Sequence, residues 1–221
     1  MRVHVVLSRA ASTASLCFAL IALPSHLHGQ STAAGTTPQL PPALDAAVNR
    51  IADSVRASGV PKDPLVSKAA EGVLKGADDV RILDVVRRFA HELADAHAAL
   101  GSCATTPELV AAASALHAGV TTPLLTRVQR AAGICSTTAR LVMPFVVLAD
   151  MVSRHVTPDV AVSSLETLVE RGAPDTQFAN LRTAIERDIA SGQAPDAAAR
   201  VRSAAALRAI DTRPIKPPPP L

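Results

Sequence analysis

The sequence predicts an all-α fold of about eight or nine short amphipathic helices, on three observations. Its apolar residues are chiefly Ala, Val and Leu, two of them among the best helix formers. They recur at helical spacing through the middle of the chain. Gly, Pro, Thr and Asp interrupt that periodicity at short intervals, in the order that stops one helix and starts the next.

The first helix is expected from about Leu44 to Ala57, with Leu44, Val48, Ile51 and Val55 on one face and Ser58-Gly59 at its end. Asp63 is expected to cap the second, with Pro64 at its first position, Leu65, Ala69 and Val73 as its stripe and Gly76 as its stop. Asp78 or Asp79 caps a long third helix to about Leu100, carrying Ile82, Val86, Phe89, Leu93 and Leu100. Thr106-Pro107-Glu108 opens the fourth and Gly119 closes it, and Thr122-Pro123 opens a short fifth that fades near Gly133. The sixth starts near Ser136 or Thr137 and holds Leu141, Phe145, Leu148 and Val152. Pro144 in that stretch means either a kink there or a start near Met143. Thr157-Pro158-Asp159 opens the seventh, which ends at Gly172. Asp175 caps an eighth with Phe178, Leu181, Ile185 and Ile189, and Asp196 caps a weaker, Ala-rich last one.

One junction recurs. Gly59, Gly76, Gly119, Gly172 and Gly192 each follow a helical stretch, and His155 stands at the equivalent place in Arg154-His155-Val156-Thr157. Glycine accepts the left-handed conformation that ends a helix, and the small residue after it can fold back onto that helix. Such a unit fits either an orthogonal bundle or an irregular α-solenoid-like array.

The flanks differ from this helical domain, read as 43–210. Arg2 and Arg9 precede an apolar run from Ala14 to Leu23, closed by Pro24. That run has the length of a secretory core and is too short for a membrane span, so 1–29 reads as a signal peptide, cleaved after Gly29 or after Ala33. A buried N-terminal helix and a retained anchor are the alternatives. Residues 30–42 read as a flexible leader, and 211–221 as a Pro-rich disordered tail whose P-x-x-P could serve as a spacer or a ligand for an aromatic groove. No later apolar run is long enough to span a membrane.

Cleavage would remove two arginines and no acid, so the formal charge of +3 falls to +1. The remaining chain has Phe89, Phe145 and Phe178 and no Trp or Tyr. Weak net charge and few aromatics argue against nucleic-acid binding. Cys103 and Cys135 would remain in an oxidising compartment. They read as one disulfide, closing a loop of about 33 residues and adding ~3 kcal/mol. Two buried thiols are the alternative, and a zinc site lacks further ligands nearby.

Catalytic templates are weak. His91-Glu92-Leu93-Ala94-Asp95-Ala96-His97 begins like a zinc H-E-x-x-H, but Asp95 occupies the second ligand position. On a helix His91 and His97 point about 120° apart. Arg88 with Glu92 reads as a surface pair, and His97 as a partly buried histidine with a local partner. His117 and His155 sit at helix ends, where a cation meets free carbonyls. Glu166, Glu170, Arg171, Arg182, Glu186, Arg187 and Asp188 read as a solvated surface of mixed sign.

No catalytic, cofactor or metal residue is assigned, and no cofactor is expected. The leading reading is a non-catalytic, exported module, periplasmic or secreted, that binds or scaffolds another protein. A carrier of a small apolar ligand or lipid, using the three phenylalanines, is the second. An enzyme built on Asp84, His91 and Asp95 is the third.

Overall fold

The computed structural model describes residues 39–133 and 141–211. The expected signal peptide, Cys135, Ser136, Thr137 and nearly all of the tail lie outside the described residues. Those residues form nine α-helices and one 3-10 turn, with no strand among them: α1 Pro42–Val55 followed by the 3-10 turn Arg56–Ser58, α2 Asp63–Leu74, α3 Asp79–Leu100, α4 Thr106–His117, α5 Thr122–Ala132, α6 Val142–Ser153, α7 Pro158–Glu170, α8 Asp175–Ala190 and α9 Pro195–Asp211.

Helix starts follow the Pro and acid signals, often displaced by one residue. Asp78 caps α3 as expected, its Oδ1 accepting from the Arg81 N–H at 2.9 Å. Asp63 and Asp175 are the first residues of their helices, behind Lys62 and Pro174, and accept no capping bond. They act instead as first-turn charges facing the positive end of the helix dipole. Asp196 also lies inside α9. Its carboxylate accepts from the Thr157 N–H at 2.8 Å and the Thr157 hydroxyl at 3.1 Å, so it ties the start of α7 to the start of α9. The leader ends sooner than expected, because Pro42 opens α1 and Leu40 is already buried. α6 begins at Val142, which puts Pro144 in its first turn, where no helical partner is lost.

Five helix ends, those of α2, α4, α6, α7 and α8, share one geometry; the expected stop at Gly59 differs, since Gly59 has φ 73° but follows the 3-10 turn and donates its N–H to the Arg56 carbonyl at 3.0 Å. Ala77, Val120, Val156, Ala173 and Gln193 each donate their N–H to the carbonyl five residues back, at 2.9–3.1 Å, and the residue before each donates to the carbonyl three back at 2.9 Å. This double bond pattern satisfies the orphan carbonyls of a helix end. It needs a positive φ at the middle residue. His155 adopts φ 67° there, alone among the described non-glycine residues. Val120 and Val156 fold back and are buried; Gln193 stays exposed.

Packing is between near neighbours in the chain. α1, α3, α5, α7 and α9 stack in order as one row, and α4, α6 and α8 stack as a second. The rows meet through α3 with α4, α6 with α7 and α8 with α9. Among the described residues no helix packs substantially on one more than two places away. A bundle closed on itself would bring α1 against a late helix. The buried side chains form one connected apolar core, with Phe145 and Phe178 among its largest members.

Charged side chains read as solvated surface from sequence turn out to join helices. Arg127 on α5 donates to Glu166 on α7 from Nε at 2.9 Å and Nη2 at 2.7 Å, with Asp159 at 3.3 Å. Arg154, just past the end of α6, reaches Glu186 on α8 at 2.6 Å. Asp188 is buried and accepts both arms of Arg202 on α9, at 2.5 and 2.6 Å. Those hydrogen bonds hold its carboxyl below the usual aspartate value. Helical spacing alone cannot separate such a residue from a solvated one, because the partner comes from another helix.

Candidate functional site

α3 is the longest helix and touches four others: α1, α2, α4 and α5. Its stripe of Ile82, Val86, Ala90 and Leu93 is buried. One flank is left open. α4, α6 and α8 pack on one another, but α2 and α4 do not meet in the same way, so the strip of α3 between them is exposed as the floor of a groove.

Two adjoining hollows make up this groove, of about 180 and 290 Å3, and both are bordered by Lys68 and Val85. Half-buried Val85 and Phe89 and buried Ile82 form its apolar floor. Gly72 allows α2 to close on that floor, since a Cβ at 72 would lie 2.7 Å from Ile82 Cγ1. Glu92 stands at the far end, its Oε1 2.9 Å from His117 Nδ1 on α4. The expected Arg88–Glu92 surface pair is therefore not formed: the carboxylate finds a partner on the neighbouring helix.

The rim is basic. Lys68 on α2, Lys75 just past its end, and Arg81 and Arg88 on α3 border it together with Glu71 and Glu92. Glu71 holds both lysines, Lys68 Nζ at 2.9 Å from Oε2 and Lys75 Nζ on Oε1. Hydrogen bonds from Lys75 first and then Lys68 hold the Glu71 carboxyl at about 2. No carboxylate among the described residues pairs with the Arg81 or Arg88 guanidinium. The groove thus combines an apolar floor, two lysines paired with Glu71, and two exposed arginines that no carboxylate among the described residues pairs with.

Other expected residues are dispersed. Asp84, His91 and Asp95 are exposed on α3, and Asp84 is paired with Arg87 at 2.7 Å. His91 borders a separate open hollow of about 410 Å3 between α1 and α3, beside Arg50, Ile51 and Leu83. His97 is half-buried against Gly59. Phe145 and Phe178 are packed into the core, whereas Phe89 borders the groove. No cluster of three or more His, Cys, Asp or Glu with metal-binding proximity occurs among the described residues. None of the helices among the described residues is long and apolar enough to cross a membrane. Cys103 lies in the α3–α4 turn and is exposed.

Sequence reasoning missed this groove. A signal was available: Lys68 and Lys75 before the Gly76 turn, and Arg81 and Arg88 after it, have equal spacing and border the same groove once α2 packs on α3. That the arginines lack partners is visible only in three dimensions. Compared with protein-family models, curated proteins and solved structures, the chain matches none.

Proposed function

We propose that this chain is an exported, non-catalytic interaction module that binds another protein along the groove between α2, α3 and α4. The observation that carries this reading is the opening itself: an apolar strip of α3 with a basic rim, left uncovered where the second row of helices does not close. A groove of linked hollows on a rigid helical stack suits a side-chain strip of a partner better than it suits catalysis, which needs convergent reacting groups. Neighbour-to-neighbour packing supports reading the array as an irregular α-solenoid, a form that presents extended surfaces to partners.

Export rests on Arg2, Arg9, the apolar run Ala14–Leu23 and the small residues after it. The Cys103–Cys135 bridge belongs to the same reading. Support comes from Glu108, which sits five residues after Cys103 and accepts from the Leu141 N–H at 3.1 Å, six residues after Cys135. That bond ties Leu141, at the start of α6, to the first turn of α4. The mass of the intact chain recovered from cells tests both points: loss of the N-terminal segment is expected, and a gain of two hydrogens on reduction.

Site-specific photocrosslinking tests the binding reading. A crosslinker at Ser114, on the groove rim, should trap one discrete protein, whereas one at exposed Thr183 on α8 should not. Equal labelling at both positions, or none at Ser114, refutes the reading.

A further inference from the structure

We propose that the α2–α3–α4 groove receives an acidic amphipathic helix of the partner, with two carboxylates seven residues apart on Arg81 and Arg88, an apolar side chain between them on Val85 and another beside the carboxylate on Arg88, against Phe89. This rests on the interaction reading above and names the chemistry that the groove selects.

Charge sets the sign of the occupant. Four cations, Lys68, Lys75, Arg81 and Arg88, border the groove against two carboxylates, Glu71 and Glu92. Both carboxylates are engaged, Glu71 by its two lysines and Glu92 by His117. The guanidiniums are the groups left to meet an incoming anion, and Arg favours planar carboxylates through paired hydrogen bonds.

Spacing sets the shape. Arg81 and Arg88 are two turns apart on α3, or about 10.5 Å along its axis. A partner helix repeats that distance between residues i and i+7 on one face, with i+3 and i+4 between them. An extended segment covers it in about three residues, but i and i+3 then point to opposite faces. Val85 lies between the two arginines, where i+3 and i+4 would point, and Phe89 directly follows Arg88, so a further apolar residue beside the carboxylate on Arg88 would meet it.

The test uses the full chain, which has no Trp or Tyr, and a capped helical peptide about four turns long carrying two Glu seven residues apart with Leu and Trp between them. Peptide Trp fluorescence then reports binding without background. Saturable binding is expected, weakening with salt. Replacing both Glu by Gln, or making R81E/R88E in the protein, should weaken it about tenfold or more. A peptide with Lys in place of both Glu should regain affinity for R81E/R88E. Both arginines are exposed, and circular dichroism should show the variant folded as the parent is. The proposal is overturned if the Gln peptide binds as tightly, if charge reversal has no effect, or if an oligodeoxynucleotide or anionic vesicles bind more tightly than the peptide. In the crosslinking experiment, R81E/R88E separates the two claims. A partner trapped equally from Ser114 with and without the reversal keeps the interaction reading and ends the acidic-helix inference; a partner trapped by neither ends the interaction reading.

Discussion

Gly59→Ala is expected to cost more than any other glycine-to-alanine change at a helix end, and Gly76→Ala is its internal control. Both glycines have nearly the same backbone, φ 73° and 69°. Placing Ala in that left-handed region costs about 1–2 kcal/mol, offset in part by about 0.4–1 kcal/mol from a less flexible unfolded chain. This contribution is common to the two positions. Their surroundings differ. A Cβ at 76 meets nothing within 4 Å, whereas one at 59 lies 2.5 Å from His97 Nε2 and 2.6 Å from Cε1. His97 is half-buried on α3 and must be displaced, an overpacking cost of about 1–3 kcal/mol. Gly59→Ala should therefore exceed Gly76→Ala by about 1–3 kcal/mol, or roughly 2–4 °C in Tm per kcal/mol. Urea and thermal unfolding followed by far-UV circular dichroism measure both variants. His97→Ala removes the obstructing ring, so the double variant should recover the excess, and a double-mutant cycle should give a coupling of about 1 kcal/mol or more. Equal losses at 59 and 76, or no recovery with His97→Ala, would refute the assignment of the cost to this contact.

Phe145→Ala empties a fully buried site and should cost about 3–5 kcal/mol in urea unfolding, while Phe89→Ala on the groove floor should cost clearly less. Glu71 has a depressed folded value, so its contribution is present above the unfolded value near 4.5 and is lost as pH falls toward 2. It is 43% exposed, so Glu71→Gln should change stability by less than about 1 kcal/mol, with a salt-sensitive difference. The same substitution frees Lys68 and Lys75 and should tighten binding of the acidic peptide in the fluorescence titration. Asp188 is also depressed, and its tie to Arg202 should persist above the ordinary carboxyl value of 3.8 and weaken below it. Protection factors in α9, taken relative to the intrinsic exchange rate at each pH, should accordingly fall at low pH, and Asp188→Asn should lower them at neutral pH.

Much of the local structure could be read from the residues. Leu44, Val48 and Val55 are on the buried face of α1, and Leu65 and Ala69 on that of α2, because a period near 3.6 leaves one side to be covered. The recurring helix stop was equally legible, since it depends on a positive φ and bonds within six residues. At Arg154-His155 the same stop forms without glycine, and sequence gave only the register, not the conformation. The one-residue shifts at Asp63 and Asp175 have a similar origin: a carboxylate is favourable both at the cap and in the first turn, so the pattern is alike in both cases.

What belongs to the amino-acid sequence by itself is the succession of amphipathic helices and their punctuation, because those depend on side-chain period, backbone propensity and short-range hydrogen bonds. Tertiary structure alone decided that the helices stack in two rows, that Asp188 is buried against Arg202 rather than solvated, and that Arg81 and Arg88 border an opening without carboxylate partners. These are pairings between distant segments, and a residue's own neighbours along the chain carry no record of which other helix will face it.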